Sequence, residues 1–273
     1  MNTKTIFKWL TIGWMSLGLS VPVGGTEKNV GDDSDNNRKA LAPVATNGKK
    51  PVDHQLILVA DEKAVAPTEE GRLYRPPSRG APGGRVGGGT RGPSEDLPLL
   101  YALVPDHVGL TTEEQPLLVW YLSKATTHPL EFTVIDEVGV APIIEQPLSS
   151  PADPGINIIR SAQYGLELDK GKTYQWFVSL ISDPERRSKD IIAGGRIEVS
   201  GVPPSLEDQV KNANPVDATT LLAQAGFWYD AMGIISTNIQ ANPSDPAMRD
   251  LRASLLNQVD LNTVAQVDRK QGL

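Results

Sequence analysis

Leu168-Asp169-Lys170-Gly171-Lys172-Thr173-Tyr174-Gln175-Trp176-Phe177-Val178-Ser179-Leu180 is the stretch that decides the architecture. Tyr174, Trp176, Val178 and Leu180 recur at every second position, with Gln175 and Ser179 between them. That is the period of a strand with one buried face, not of a helix. The Asp-Lys-Gly-Lys ahead of it is turn chemistry and marks where the strand begins. Upstream the same alternation returns, with Phe132 and Val134 opposed to Glu131 and Thr133.

Working outward, short apolar runs fill positions 97–200: LPLLYALV (97–104), PLLVWYLS (116–123), LEFTVIDE (130–137), INIIRS (156–161), TYQWFVSLIS (173–182) and RIEVS (196–200). APIIEQPL (141–148) reads as an edge strand because of its two prolines. Between the runs lie DHVG, VGV, PADPG, DKGK and DPERRSKD, turn sequences at the spacing of an antiparallel sandwich. Leu168 and Gly171 stand six and three residues before Tyr174, which resembles the tyrosine corner of immunoglobulin and fibronectin type III domains. The expectation is a mainly β chain with an immunoglobulin/fibronectin-like antiparallel β-sandwich over 97–202. Tyr174, Trp120 and Trp176 are then structural. In the charged 183–190 loop, Arg187 is expected to tie to Asp183 or Asp190.

After Val202-Pro203-Pro204 the period changes. Asn214-Pro215-x-Asp217 reads as an N-cap, a proline at the first helical position and an acid in the first turn. Gly226 stops that helix, and Trp228, Ala231, Ile235 and Ile239 follow at helical spacing. Asn242-Pro243-Ser244-Asp245-Pro246 separates it from a third stripe of Met248, Leu251, Leu255 and Val259, and a last turn covers Leu261 to Val264. A small C-terminal helical region over 212–267 is expected. Its Gly226, Ala231 and Pro243 resemble one tetratricopeptide-like hairpin, which must pack on the sandwich or on a partner repeat.

The ends and composition set the setting. Lys4 and Lys8 precede the apolar run WLTIGWMSLGLSV (9–21), then Pro22 and small residues, so 1–25 reads as a signal peptide. The run is shorter than the ~20 residues a membrane-spanning helix needs. Residues 26–70 read as a disordered linker, and with 25 Gly, 22 Pro and 39% hydrophobic residues the folded part is expected to be shorter than the chain. The sequence has no cysteine, which excludes disulfides, thiolate metal sites and cysteine nucleophiles. An exported protein with no membrane span after signal cleavage follows, periplasmic or extracellular.

Residues 71–96 form an Arg/Gly/Pro-rich arm, in which Arg72, Arg75, Arg79, Arg85 and Arg91 occur without an acid from 71 to 92, in a chain of formal net charge -7. These five are the candidate binding residues, for an anion or an acidic surface. Two destinations stay open. The arm can lie along its own body, where 93–200 carries sixteen acidic and eight basic side chains, or it can take an anionic envelope component or another protein as partner. Nucleic acid is not expected for an exported protein. Gly84-Arg-Val-Gly-Gly-Gly89-Thr90 lacks the lysine, strand and helix of a phosphate loop. His54, His107 and His128 are isolated, and no His-Glu-x-x-His or Gly-x-Ser-x-Gly occurs, so no metal, cofactor or catalytic residue is expected.

Tyr74-Arg-Pro-Pro-x-Arg-Gly-x-Pro-Gly-x-Arg-Val-Gly-Gly-Gly-Thr-Arg-Gly92 resembles the opening signature of the domain of unknown function 928 family, found mainly in cyanobacteria. Ala102-Leu-Val-Pro105, Gly109-Leu-Thr-Thr112, Gly171-Lys-Thr-Tyr-x-Trp176, Asp183-Pro-x-x-Arg-Ser188 and Gly226-x-Trp-Tyr-Asp-Ala231 extend the resemblance, in family order, over roughly 74–264. It implies an exported protein of a photosynthetic bacterium and carries no catalytic residue over. The reading is a non-enzymatic binding or scaffolding module of the bacterial envelope; the alternative is an enzyme acting on cell-wall or extracellular carbohydrate. The oligomeric state stays open. N-terminal sequencing of the exported protein is expected to begin near Thr26; intact Met1 on it would overturn the signal assignment.

Overall fold

Alternation along the central strands builds the larger sheet. In the computed structural model, which describes residues 72–77, 83–87, 97–139 and 141–271, Tyr174, Trp176, Val178 and Leu180 are buried while Thr173, Gln175 and Phe177 are half-buried. The expected signal peptide and linker, and Arg79 and Arg91, lie outside the described residues. The strands are β1 (Arg85–Gly87), β2 (Leu100–Ala102), β3 (Gly109–Thr111), β4 (Leu117–Leu122), β5 (Leu130–Asp136), β6 (Pro142–Pro147), β7 (Gly155–Arg160), β8 (Thr173–Leu180) and β9 (Ile191–Val199). The larger sheet runs β1-β9-β8-β5-β6, and the smaller runs β2-β4-β7, all antiparallel. β6, with Pro142 and Pro147, is an edge strand, as its prolines require.

β3 departs from the expected pattern. Gly109 was expected to close a turn; instead Gly109–Thr111 pairs in parallel with Ile197–Val199 of β9, while β1 takes Ala193–Gly195. The outer edge of β9 is thus shared by two three-residue strands. Three residues are too few to show a period of two.

β4 explains how the layers meet. Leu118 through Leu122 are buried without a break, which requires cover on both faces of the strand. Side chains from both sheets and the helices form one core, with Phe132, Trp176, Leu100, Leu118, Trp228 and Met232 at or below 1% exposure. Burying one such side chain contributes roughly 1.5–3 kcal/mol.

The helices are α1 (Pro204–Asn212), α2 (Pro215–Gln224), α3 (Trp228–Ala241), α4 (Pro246–Gln258) and α5 (Asn262–Lys270), each packed on the next, with α3 also against β3 and β4. Asn214 caps α2 by accepting from the Asp217 N–H at 3.0 Å, and Asp245 caps α4. Two helices exceed the sequence reading. α1 buries no residue fully and carries only Leu206 and Val210 partly buried, too little for a stripe. α5 is nine residues, not a turn, and one of its buried positions is a charge, Asp268. In the 183–190 loop Arg187 donates to Asp190 at 2.6 Å and to Glu131 at 2.7 Å.

The Tyr174 hydroxyl accepts the Asp169 N–H at 3.1 Å, five residues upstream. Tyr174→Phe is expected to destabilise the fold by about 1 kcal/mol, because that N–H loses its partner. Urea unfolding midpoints measure this, and an unchanged midpoint would contradict it.

Candidate functional site

Three consecutive side chains in the first turn of α3 reach three different parts of the sheets. The Trp228 indole N–H donates to the Leu103 carbonyl at 2.9 Å. The Tyr229 hydroxyl accepts the Trp176 indole N–H at 2.9 Å and donates to the Arg196 carbonyl at 3.0 Å. The Asp230 carboxylate accepts the Thr112 N–H at 3.1 Å together with the Thr112 hydroxyl. A Cβ on Gly109 would lie 2.7 Å from the Tyr229 ring, so only glycine lets β3 pass this close.

The arm begins at the same joint. Tyr74 is 2% exposed and meets the Trp228 ring edge-to-face, centroids 4.8 Å apart. Its backbone N–H donates to Gln258 Oε1 at 2.8 Å. The His107 ring, stacked on it at 4°, has Nδ1 2.9 Å from the Val108 carbonyl, which can only accept. Nδ1 therefore carries the proton, and Nε2 accepts the Tyr74 O–H at 3.2 Å. Burial and the nearby Tyr229 phenol push the Tyr74 phenol well above its ordinary range, so it stays a neutral donor.

Between 72–77, the 105–107 loop and the end of α4 opens a cleft of about 480 Å³, whose polar lining includes Arg72, Asp106, His107, Asn257 and Asp260. Of the five candidate arginines, Arg72 lines this cleft and Arg75 is exposed, its backbone N–H donating to the Ala223 carbonyl. Among the described residues neither side chain forms an ion pair. Arg85 is different. On β1 it donates to the carbonyls of Val104 at 3.2 Å and Val259 at 2.8 Å. Val259 caps the C-terminus of α4, where unpaired carbonyls favour a cation. The carboxylate partners expected for an arm docked on its own body are absent at Arg85; main-chain oxygens replace them. Gly84 makes the approach possible, since a Cβ there would stand 2.1 Å from the His107 carbonyl oxygen.

A second pocket, about 350 Å³, is lined by Thr112, Glu113, Gln115, Leu222, Asp230 and Ile234 among others. Burial pushes the Asp230 carboxyl up to about 6, against the Thr112 and Thr111 hydrogen bonds that pull it down, and Glu113 adds to the rise. Among the described residues no group of three or more His, Cys, Asp or Glu is placed to hold a metal ion, and no helix is long and apolar enough to cross a membrane.

The family model described as Domain of Unknown Function (DUF928) matches residues 86–269, more than half of the chain. The chain belongs to the DUF928 family. A comparison with curated proteins finds no match. The DUF928 match begins at Val86 inside β1, so Arg72 and Tyr74 lie ahead of it, although their contacts lie within it. Four quoted motifs converge at the joint: Ala102–Pro105 through Leu103, Gly109–Thr112 through Thr112, Gly171–Trp176 through Trp176, and Gly226–Ala231 through its three central side chains. Reading the sequence missed this role of Asp230, and took His107 as isolated; nothing local to either residue points to a partner far along the chain.

Asp230 holds a proton in the folded state up to about pH 6, whereas the unfolded chain releases it near the ordinary 3.8. Its contribution to stability is then fully present below about 3.8 and lost as pH rises through about 6. The total loss is at most about 3 kcal/mol. Asp230→Asn keeps an oxygen to accept from Thr112 and removes the titration. Urea midpoints from pH 4 to 7 are expected to fall in the wild type relative to Asp230→Asn; a constant difference between the two would refute the assignment.

Proposed function

We propose that this DUF928 protein is an exported, non-enzymatic binding or scaffolding module of the cell envelope that takes an anionic group at the root of its basic arm. The observation that carries the reading is Arg72, a cation lining the 480 Å³ cleft that forms an ion pair with neither Asp106 nor Asp260 of the same lining. Arg75 is exposed three residues further along the same segment, while Arg85 is committed to carbonyls and anchors the arm. The signal-like segment before Pro22 supports export. In finer architecture, the two sheets with one core and the Tyr174 hydroxyl bonded upstream support an immunoglobulin/fibronectin-like sandwich. The packed α2 and α3, with Gly226, Ala231 and Pro243, support a tetratricopeptide-like hairpin docked on it.

An enzyme acting on cell-wall or extracellular carbohydrate is the second reading. In its favour, Asp230 and Glu113 line one pocket and the first has a raised pKa. Against it, both Asp230 oxygens are held by Thr112, which suits a structural carboxylate.

Replacing Arg72, Arg75, Arg79 and Arg91 together by Gln is expected to lower the salt needed to elute the protein from immobilised polyglutamate, with melting unchanged. Arg85→Gln is expected to lower stability by about 1.5–3 kcal/mol, since two hydrogen bonds from a charged donor are lost. Equal elution of the fourfold variant and wild type would overturn the proposal.

A further inference from the structure

Far from the arm, two buried guanidinium groups share one carboxylate. Arg249 and Arg252 on α4 are 8% and 3% exposed, and Asp268 on α5 is 1% exposed. Asp268 Oδ1 accepts from Arg249 Nη1 at 2.9 Å and from Arg252 Nη2, and Oδ2 accepts from Arg252 Nε at 2.8 Å. The remaining bonds go to neutral groups. Arg249 donates to the carbonyls of Pro243 and Asp268, and Arg252 donates to Ser236 Oγ at 3.2 Å. Among the described residues no other carboxylate comes within ion-pair distance of either cation. Among the described residues the cluster therefore carries one more positive charge than it has carboxylates to balance, in a place where unpaired charge is costly.

The donors show the same imbalance. A guanidinium has five N–H donors. Arg249 commits four, two of them to Pro243 and two to Asp268, and Arg252 commits three. Three N–H groups remain without a protein acceptor among the described residues. Beside them lies a pocket of about 170 Å³ with Arg249, Arg252 and Ser236, all buried, in its lining, and exposed Gln240, Pro243 and Gln271 completing it on the solvent side. Ile156 and Ile158 of β7, with Ile239 of α3, contribute apolar surface to the same space.

We propose that this pocket binds the carboxylate of a small aliphatic acid or of an aliphatic chain end. One excess positive charge matches a monoanion, and the free N–H groups match the two oxygens of a carboxylate. The isoleucines and Pro243 match a short hydrocarbon substituent, and the volume limits the ligand to a few heavy atoms beyond the carboxylate. A phosphate dianion would lose its hydration against the isoleucines. The site is independent of the arm and of the cleft at its root, and shares no residue with either.

The test is thermal melting of the full mature chain with sodium isobutyrate, inorganic phosphate or sodium chloride at matched ionic strength. Isobutyrate is expected to raise the midpoint saturably, by about 3 °C or more near saturation, while phosphate and chloride leave it in place. Gln240→Glu puts a carboxylate at the edge of the same pocket, beside Arg160, which already donates to Gln240 Oε1 at 3.0 Å. That variant is expected to melt higher than wild type without ligand and to lose the response to isobutyrate. A wild-type midpoint that isobutyrate does not move, one that phosphate moves equally, or a Gln240→Glu protein that still responds each overturns the proposal.

Discussion

Two buried indole N–H groups and a buried phenol hydroxyl must all find partners around one turn of helix. Trp176 and Trp228 are fully buried and Tyr229 is 2% exposed, so none of them can turn to water, and each unsatisfied group would cost about 1–3 kcal/mol. The solution is a chain of donors. Trp176 gives to Tyr229, Tyr229 gives to the Arg196 carbonyl, and Trp228 gives to the Leu103 carbonyl. Each of these bonds has a narrow range of length and angle, so together they set where α3 stands against β8, β9 and the residue that follows β2. The smaller sheet, the larger sheet and the helices are thereby held in one arrangement.

The arm inherits its position from this joint. Tyr74 rests its ring on Trp228, and its N–H is taken by Gln258 at the end of α4. Arg85 then closes the other side by holding Val259 and Val104. The cleft lies beside these two fixed points, with Arg72, Tyr74 and Pro76 in its lining. Arg72 sits at that opening, which is why a binding reading rests on it more than on the other arginines.

The strands were legible because their signal is local. β5 and β8 alternate over their first six residues, and β6 announces its edge position with two prolines. The helix cap at Asn214 was legible for the same reason: capping couples residues two or three apart. β3 and α1 were not, since one is three residues long and the other lacks a buried stripe. The joint itself is a matter of contacts 33 to 125 residues apart along the chain. Composition indicates that Trp228 is buried; it cannot indicate which carbonyl receives its N–H. The Arg249–Arg252–Asp268 cluster hides in the same way, its charges being residue types that ordinarily face water.

The shared edge of β9 has a consequence for how copies of this chain meet. An uncovered edge strand offers its N–H and C=O groups as a template to any other extended chain. Here, among the described residues, the edge of Ala193–Gly195 that faces away from β8 is paired with Arg85–Gly87, and Val86 and Ile192, at 40% and 41% exposure, stand at that edge. Proteolytic loss of the arm would uncover a short apolar docking rail beside β3. A neighbouring molecule's own Arg85–Gly87 has the matching sequence, so limited proteolysis would open this edge to strand exchange. The arm is, in this respect, the guard of its own sheet.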